Sequence, residues 1–388
     1  MQHNRHTVDE GSTRAVVESG TVRFVHSADW QLGMTRHWLG EHQGAYDRAR
    51  IDAIRRIGRL AAEQGCEFIL VCGDVFEYAQ VKPRTAEPVL EQLSSLPVPV
   101  YLLPGNHDPL TESGIYRSAL FREQAGEGVR VLDQPGLVEV RPGVELLAAP
   151  WFTKQAPAEQ IDRLAARHDP PPPGTVRIAV GHGGVDTLAS ALTADPISTS
   201  ALDAAVAEGR VDYVALGDRH SKLSVGGSGR IWYSSSPEPT ATRDPDPGYV
   251  LVVEVEPGRA PEVTPHQVAS WTFKEERFEL TEAADVDAVF AWLDAFPEKR
   301  DTVAKPILGG ALGLAESERL RSGLESRRHR FAAILESGRS TLRSRPEDTD
   351  LDDLELTGFV AEAAATLRDQ GGENANEALR LLIRLAGD

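Results

Sequence analysis

The sequence predicts an α/β fold, because short apolar strands alternate with amphipathic helices over the first two thirds of the chain. The strand segments are rich in Val, Ile, Leu and Phe and are nearly continuous in apolar residues, as is typical of strands buried on both faces. Five of these segments end in residue types that bind metal ions. Together these observations predict a parallel-rich sandwich with polar side chains gathered at one edge.

The elements follow one another in a regular order. Those five strands end in the segments RFVHSAD, EFILVCGD, PVYLLPGNHD, VRIAVGH and VDYVALGDRH. Residues 45–65 have the apolar stripe of a helix, with Gly65 as its C-terminal stop. Residues 83–97 predict a second helix with a proline near its start. The segments RIWYSSS at 230–236 and GYVLVVEVE at 248–256 predict further strands of the sheet.

The pattern changes near residue 265, and metal-binding residue types no longer cluster. Residues 270–280 alternate like a strand. Helical patterns follow at 285–296, 316–337, 356–370 and 376–387. We therefore predict three parts, which are a mobile N-terminal tail at 1–20, a catalytic domain at 21–266 and a smaller α+β accessory domain at 267–388.

The composition limits the possible functions. The chain has 388 residues and a formal net charge of −18, so bulk attraction is not expected to hold nucleic acid. A bound metal ion or a local basic patch is still compatible with a nucleic-acid ligand. Cys66 and Cys72 lie in or beside an apolar run and are expected to be buried and reduced. The sequence has no membrane-length apolar run, and residues 1–20 lack a signal core, so we predict a cytoplasmic protein that does not enter a membrane.

Six side chains at the strand ends form a candidate metal site. They are Asp29, Asp74, Asn106, His182, Asp218 and His220. Carboxylate, imidazole and amide ligands suit Mn²⁺, Fe or Zn²⁺ better than they suit a Cys-rich structural site. Six ligands are too many for one catalytic ion with an open position, and they match two ions that share a bridging carboxylate. Each motif alone is weak, since an Asp after a Gly commonly closes a turn, but turn formation does not explain the ordered set.

The motifs DWQ, GD, GNHD, GH and GDRH resemble those of the calcineurin-like metallophosphoesterase superfamily, whose pattern is D-x-H, G-D, G-N-H-[DE], G-H and G-H-x-H. The sequence around these motifs resembles that of the SbcD-type DNA-repair exonucleases. The segments that carry this resemblance are FVHSADWQLG, CGDVFE, YLLPGNHDP, YVALGDRH and IWYSSSPEPT. These are the nuclease subunits that work with an SMC-like SbcC ATPase. The resemblance covers about residues 21–256. It implies a four-layer α/β/β/α sandwich, a C-terminal capping domain, DNA as substrate and a homodimer.

The resemblance also implies a role for each matching residue. Asp74 would bridge the two ions. The remaining ligands would be Asp29, Gln31 and His220 for one ion, and Asn106, His182 and Asp218 for the other. A metal-bound hydroxide would attack the phosphodiester in line, and His107 would stabilise the developing charge and protonate the leaving oxygen. Asp108 is expected to anchor its loop, and His26 is expected to be a core residue.

Gln31 and Asp218 stand where the family pattern has His, so each ion exchanges one imidazole for an oxygen ligand. Oxygen is the harder ligand, which favours Mn²⁺, with Mg²⁺ or Fe possible, over Zn²⁺. Three hypotheses stay open. The protein is an active Mn²⁺-favouring nuclease, a weakly active or non-catalytic subunit of an SMC-like ATPase complex, or a phosphoesterase for a small molecule.

Residues 319–345 form a local basic stretch in this acidic chain. Arg327, Arg328 and Arg330 are candidate contacts to DNA phosphates, and a solvated helix face is the alternative. Trp38, in the loop after Gln31, stacks on a base, anchors a second subunit or fills its own loop.

Overall fold

The computed structural model describes residues 21–344, except 156, 158 and 189–194, and residues 358–382, except 371, 373, 376, 377 and 380. The predicted tail at 1–20 and most of the predicted helix at 376–387 lie outside the described residues. The chain divides into two compact units. The first unit comprises the described residues of 1–33, 54–237 and 249–268, and the second comprises those of 34–53, 238–248 and 269–388. The longest stretch of the second unit begins at residue 269, close to residue 267, where the accessory domain was predicted to begin.

Two six-stranded sheets form the first unit. Its strands are β1 (Val22–Ser27), β2 (Phe68–Cys72), β3 (Val100–Leu103), β4 (Val129–Val131), β5 (Gly136–Arg141), β6 (Val144–Ala148), β7 (Val176–His182), β8 (Tyr213–Gly217), β9 (Leu223–Val225), β10 (Ile231–Tyr233), β11 (Tyr249–Val255) and β12 (Glu262–Gln267). The strand orders are β12-β11-β1-β2-β3-β4 and β5-β6-β7-β8-β10-β9. Strands β1 to β4 are parallel, and so are β6, β7, β8 and β10. The parallel strands therefore end on a common edge of each sheet.

In chain order, the first five α-helices of the described residues are α1 (Gln43–Glu63), α2 (Pro83–Ser94), α3 (Ala119–Gln124), α4 (Ile161–Arg167) and α5 (Thr199–Ala207). Helices α1 and α2 confirm the predictions for 45–65 and 83–97. The division between the two units falls within α1, after Ala53. No described helix combines the length and the apolar character needed to cross a bilayer.

The core of the first unit explains the continuous apolar strands. Leu146 of β6 packs in a cluster between the two sheets, with residues of β1, β2, β7 and β8. Its neighbour Leu147 faces the other way and packs with α4 and α5. Each central strand thus buries both faces, and the predicted sandwich of two sheets flanked by helices is confirmed. Cys66 and Cys72 are buried free thiols, as expected.

His26 is a neutral residue of this core. Its Nδ1 lies 3.1 Å from the hydroxyl of Tyr213, and its Nε2 lies 3.1 Å from the carbonyl oxygen of Leu216. Burial lowers the pKa of His26 to about 3, so the ring carries no charge at neutral pH. The side chain is satisfied within the core and takes no part in the metal cluster.

The second unit contains a four-stranded parallel sheet. Its elements are β13 (Thr272–Leu280), α6 (Ala283–Asp294), β14 (Thr302–Leu312), α7 (Leu314–Arg328), β15 (Ala333–Ile334), β16 (Arg343–Ser344) and α8 (Phe359–Gln370). The helix predicted at 316–337 ends earlier, at Arg328, because residues 333–334 pair with β14. Phe331 and Leu335, which lie within the predicted helix, therefore come after its observed end.

Segments from distant parts of the sequence build the core of the second unit. The ring of Tyr46 stacks on Phe273 with a centroid distance of 5.3 Å, and it meets Trp271 edge to face at 5.2 Å. The buried carboxylate of Glu238 accepts hydrogen bonds from the backbone nitrogens of Ser270 and Trp271, at 2.9 and 3.0 Å. Both segments inserted before residue 269 are thereby joined to the start of β13.

The end of β8 lies in tight contact with the other sheet of the first unit. This contact provides a test of the fold. A Cβ at Gly217 would lie 1.8 Å from the carbonyl oxygen of Cys72, which is backbone and has little freedom to move. We expect Gly217→Ala to lower the free energy of unfolding by about 3 kcal/mol or more, measured by urea denaturation. Gly128→Ala is the control, because a Cβ there meets open space. Equal stabilities of the two variants would contradict the close approach of the sheets.

Candidate metal centre

The carboxyl ends of five strands bring the predicted ligands to one place. β1, β2 and β3 are neighbours in the first sheet and lead into Asp29, Asp74 and Asn106. β7 and β8 are neighbours in the second sheet and lead into His182 and Asp218. Ligand atoms of Asp29, Asp74 and His182 all lie within 4.8 Å of one another, and the three residues are buried. In the part of the chain that the structure describes, this triad is the group of acidic, His or Cys side chains close enough to hold a metal ion.

A left-handed backbone turns several of these residues out of their strands. The residues and their φ angles are Asp29 at 54°, Gln31 at 43°, Asp74 at 55° and Asp218 at 97°. Among the described non-glycine residues, only Asp195 and Ser235 also have a positive φ. Such conformations are strained and concentrate at functional sites. Strand β1 ends at Ser27, so these left-handed turns, and not the alternation of a strand, determine the positions of Asp29 and Gln31.

His182 is held in an orientation that suits a metal ligand. Its Nδ1 lies 2.8 Å from the carbonyl oxygen of Cys72, which can only accept, so Nδ1 carries a proton. Its Nε2 faces Asn106 Oδ1 at 2.8 Å and Asp74 Oδ2 at 3.4 Å. A lone pair on Nε2 and two oxygens therefore converge, and only a proton or a cation between them relieves the repulsion. This buried set of one nitrogen and several oxygens fits a divalent ion.

Three glycines make room for this arrangement. A Cβ at Gly73 would lie 2.1 Å from His182 Nδ1, and a Cβ at Gly105 would lie 2.2 Å from Asp74 Oδ1. A Cβ at Gly217 would also fall 2.8 Å from His182 Nδ1. The motifs alone did not predict a role for these glycines. The signal was present, because a glycine directly precedes the ligand in the motifs GD and GN.

The two buried carboxyl groups of the triad differ in their proton affinity. Burial raises the pKa of Asp29 to about 7, although His220 and His182 partly offset that effect. Burial also acts to raise the pKa of Asp74, but the charge and hydrogen bond of His182 and the nearby His107 outweigh it and hold this pKa below its usual value. Burial alone would lower the pKa of His182, whereas Asp74 and Asp29 raise it well above its usual value. A cation entering the cluster must therefore displace protons from Asp29 and His182.

His107 lies at the edge of the cluster, with 37% of its side chain exposed. Its Nδ1 lies 3.1 Å from the carbonyl oxygen of Glu77 and so carries a proton, which leaves Nε2 directed toward Asp74 Oδ2 at 4.0 Å. The backbone nitrogen of His107 donates to Asp74 Oδ1 at 2.9 Å. Glu77 Oε1 is 3.9 Å from Nδ1, and Oε2 of the same carboxylate is buried without a hydrogen-bond partner among the described residues. A positive charge on the imidazole would be stabilised by this carboxylate.

Asp108 anchors the loop that carries Asn106 and His107. Its carboxylate is buried and accepts hydrogen bonds from the backbone nitrogens of Phe76 and Gly105, at 3.0 and 2.9 Å, and from the hydroxyl of Tyr116 at 2.6 Å. Burial and the charge of Asp74 raise the pKa of Asp108 to about 6. Its role is to fix the backbone beside the cluster, as expected from the sequence.

The two departures from the family pattern occupy different environments. Gln31 is buried, and its Nε2 lies 3.1 Å from His220 Nε2. The hydroxyl of Ser235 donates to the carbonyl oxygen of His220 at 3.0 Å and fixes that loop. Asp218 is exposed, and its backbone nitrogen lies 3.1 Å from both carboxylate oxygens of Asp29. The structure thus brings Gln31 and His220 together, whereas Asp218 contacts the cluster through its backbone.

The three arginines proposed as DNA contacts each have an acidic partner. Arg327 and Arg330 both bind Asp294, at 2.8 and 3.2 Å. Arg328 binds Glu325 and Glu336, each at 3.0 Å. These pairs compensate much of the local positive charge, and the role of the arginines in binding DNA stays a prediction.

Comparisons with known proteins identify the family of this chain. The family model of calcineurin-like phosphoesterases matches residues 22–222, which is more than half of the chain and includes every predicted metal ligand. The DNA double-strand break repair protein Mre11 of Archaeoglobus fulgidus is 31% identical over 93 residues, which are 22% of this chain and 19% of that protein. The match thus spans about a fifth of that relative's length.

Similar solved structures include two phosphoesterases. The calcineurin-like phosphoesterase YfkN from Bacillus subtilis has a TM-score of 0.39 and 13% identity, over 65% of this chain and 92% of that one. A dimetal phosphatase from Danio rerio has a TM-score of 0.37 and 13% identity, over 64% of this chain and 99% of that one.

Protonation of the triad predicts that metal affinity depends on pH. A carboxyl group with a pKa of about 7 is mostly protonated below that pH, so Mn²⁺ must compete with a proton on Asp29. We expect the affinity for Mn²⁺ to fall as the pH falls through 7; the proton on Asp29 accounts for about tenfold for each pH unit below 7, and the proton on His182 makes the fall steeper. Isothermal titration calorimetry between pH 6 and 8, in buffers of different ionisation enthalpy, measures both the affinity and the protons released. An affinity that does not change over this range would contradict the role of Asp29.

Proposed function

The chain belongs to the calcineurin-like phosphoesterase family, and from that premise we propose that it is a DNA-cutting phosphodiesterase of the SbcD type that acts in DNA repair. Members of the family are metal-dependent hydrolases of phosphoester bonds and typically use two divalent ions. The observation that carries the proposal is the buried triad Asp29, Asp74 and His182, whose ligand atoms converge from both sheets. The similarity to a DNA double-strand break repair protein supports DNA as the substrate.

The ligand assignment follows the motif positions. Asp74 would bridge the ions, with Asp29, Gln31 and His220 on one of them and Asn106, His182 and Asp218 on the other. The contacts of Gln31 with His220 and of Asn106 with His182 support these two groups. Oxygen ligands at positions 31 and 218 favour Mn²⁺ over Zn²⁺, with Mg²⁺ or Fe as other candidates. Bound divalent ions supply Lewis-acid polarisation of the phosphodiester.

His107 is the residue that would handle the proton of the leaving group. The carbonyl oxygen of Glu77 keeps a proton on Nδ1, so Nε2 is the atom that can give a proton to a leaving oxygen. The negative charges of the phosphate and of the Glu77 carboxylate would favour a proton on Nε2 before that step. The partial exposure of His107 lets it reach a substrate at the edge of the cluster.

The departures from the family pattern favour one alternative function. The amide of Gln31 is bound to His220, and the side chain of Asp218 is exposed, so each of the two ions would lose one side-chain ligand and be held more weakly. The chain would then be a weakly active or non-catalytic repair subunit of an SMC-like ATPase complex. In either case the SbcC-type ATPase partner, the homodimer and the cytoplasmic location are predictions from the sequence.

The first test of the proposal is degradation of end-labelled linear DNA in the presence of Mn²⁺. We expect His107→Ala to lower the rate by about 10²–10⁴-fold, because the leaving oxygen loses its proton donor. Binding of Mn²⁺, measured by calorimetry, should stay close to wild type, because His107 lies outside the triad. His266→Ala, a change on the edge strand β12, is the matched control and should cut at the wild-type rate.

Other outcomes of this assay separate the hypotheses. Wild-type protein that leaves DNA intact but hydrolyses a phosphomonoester would be a small-molecule phosphoesterase. Wild-type protein that hydrolyses neither DNA nor bis-p-nitrophenyl phosphate would be a non-catalytic subunit. A His107→Ala variant as fast as wild type would refute the role of this residue.

Metal preference tests the assignment of Gln31. We expect Gln31→His to raise the affinity for Zn²⁺ relative to Mn²⁺, because an imidazole nitrogen replaces an amide oxygen. Competition between the two ions, followed by calorimetry, measures the ratio. Gln80→His is the control, since residue 80 is exposed and lies outside the triad. An unchanged ratio in Gln31→His would show that residue 31 does not contact metal.

A further inference from the structure

The second unit contains a cavity of about 440 Å³ that is lined mainly by polar and cationic side chains. Its volume lies in the range of small-ligand sites. Five segments of the chain build its walls, namely the loop after Gln31, the segment 240–243, strand β13, strand β14, and the residues that follow β15. The cationic side chains in its lining are Arg36, Arg243, Lys305 and Arg339, and the acidic one is Glu275.

One of the four cations is compensated within the cavity. Arg339 binds the carboxylate of Glu275 at 2.6 Å, and the hydroxyl of Thr242 donates to the same carboxylate at 3.1 Å. Burial alone would raise the pKa of Glu275, but these hydrogen bonds outweigh it and hold the pKa below its usual value. Glu275 is therefore ionised and offsets one positive charge.

Three positive charges are left over. The guanidinium of Arg36 donates to the carbonyl oxygen of Thr240 at 3.1 and 3.2 Å, which orients the group without neutralising it. The side chains of Arg243 and Lys305 form no ion pair or hydrogen bond within the described ranges, although the charge of Lys305 helps to lower the pKa of Glu275. Glu275 carries one negative charge against four cations, so a surplus of three is unchanged. The carboxylate of Asp244, next in the chain, accepts from Thr240 and from the backbone of its own turn. In a chain with a net charge of −18, a concentrated positive surplus of this kind fits a multiply charged anion.

An aromatic side chain adjoins the same cavity. The indole of Trp38 packs edge to face on Phe273 with a centroid distance of 5.3 Å, and it is half-buried. Trp38 also lines a second cavity of about 370 Å³, which shares Leu335 with the first. An aromatic ring beside guanidinium and ammonium groups is the combination with which proteins hold a base and its phosphate.

We propose that this cavity binds a terminal phosphate group, either on the 5′ end of a DNA strand or on a free nucleotide. A terminal phosphate carries close to two negative charges near neutral pH, whereas a backbone phosphodiester carries one, so three uncompensated cations favour the terminal group. Arg36, Arg243 and Lys305 meet the phosphate oxygens, and Trp38 contacts the adjacent base. The site is separate from the metal ligands, and it rests on the proposed function only for the nucleic-acid origin of its ligand.

Binding without metal tests the proposal apart from catalysis. Two 3′-fluorescein oligonucleotides that differ only in a 5′-phosphate or a 5′-hydroxyl are titrated with the full chain in EDTA, and fluorescence anisotropy is recorded. We expect the phosphorylated strand to bind about tenfold more tightly, as for charge-assisted hydrogen bonds to one phosphate. The double variant Arg243→Gln/Lys305→Gln should abolish this preference and retain the wild-type Tm. Lys274→Gln should keep the preference, because residue 274 lies next to Glu275 on β13 and points to the opposite face.

Competition identifies the source of the phosphate. Displacement of the strand by micromolar nucleoside monophosphate, but not by inorganic phosphate, supports the proposal and assigns the site to a free nucleotide. Displacement only by a phosphorylated strand supports it and assigns the site to DNA ends. Equal binding of the two strands together with no nucleotide binding, or a phosphate preference that survives in the double variant, overturns it. Hydrolysis of bis-p-nitrophenyl phosphate with Mn²⁺ should be the same in all variants, so a failure of the metal centre is distinguished from a failure of this cavity.

Discussion

The close approach of the two sheets at the ends of β2, β7 and β8 is the constraint on which the candidate site depends. The hydrogen bond from His182 to the carbonyl oxygen of Cys72 joins one sheet to the other, and Gly217 provides the space for it. If the sheets were farther apart, the imidazole from the second sheet would not reach the carboxylates from the first. The left-handed turns at Asp29 and Asp74 then complete the geometry, because they direct side chains that leave parallel strands into the space between the sheets.

This acidic protein has two distinct means of attracting a phosphate. At the sheet edge, buried carboxylates and imidazoles favour a divalent cation, and that cation presents positive charge to a substrate. In the second unit, guanidinium and ammonium groups present their own charge directly. The first means depends on metal supply and on protons, whereas the second is available at any physiological pH. A formal charge of −18 therefore says little about which ligands the chain can hold.

The sequence predicted the sandwich and the gathering of Asp29, Asp74 and His182 at the sheet edge because each depends on a local pattern. Apolar runs followed by a glycine and a metal-binding residue are short enough to recognise without knowledge of the fold. The strand β15 and the early end of α7 were not predictable in this way, since pairing with β14 overrides the helical pattern. The exposed side chain of Asp218 and the acidic partners of Arg327 and Arg330 depend on contacts between distant segments. For the same reason the cationic cavity, which is lined by five separate segments of the chain, could not be predicted from the sequence.

The second unit is not continuous in the sequence. Tyr46 and Glu238 belong to its core as much as Trp271 does, although each lies within the stretch that otherwise forms the first unit. A single recombination event near residue 269 could therefore neither add this unit to an ancestral enzyme nor remove it cleanly. Its three segments pack in one core, so a substitution in one segment changes the packing of the others. Substitutions in one segment are therefore expected to be accompanied by compensating substitutions in the others as the sequence diverges.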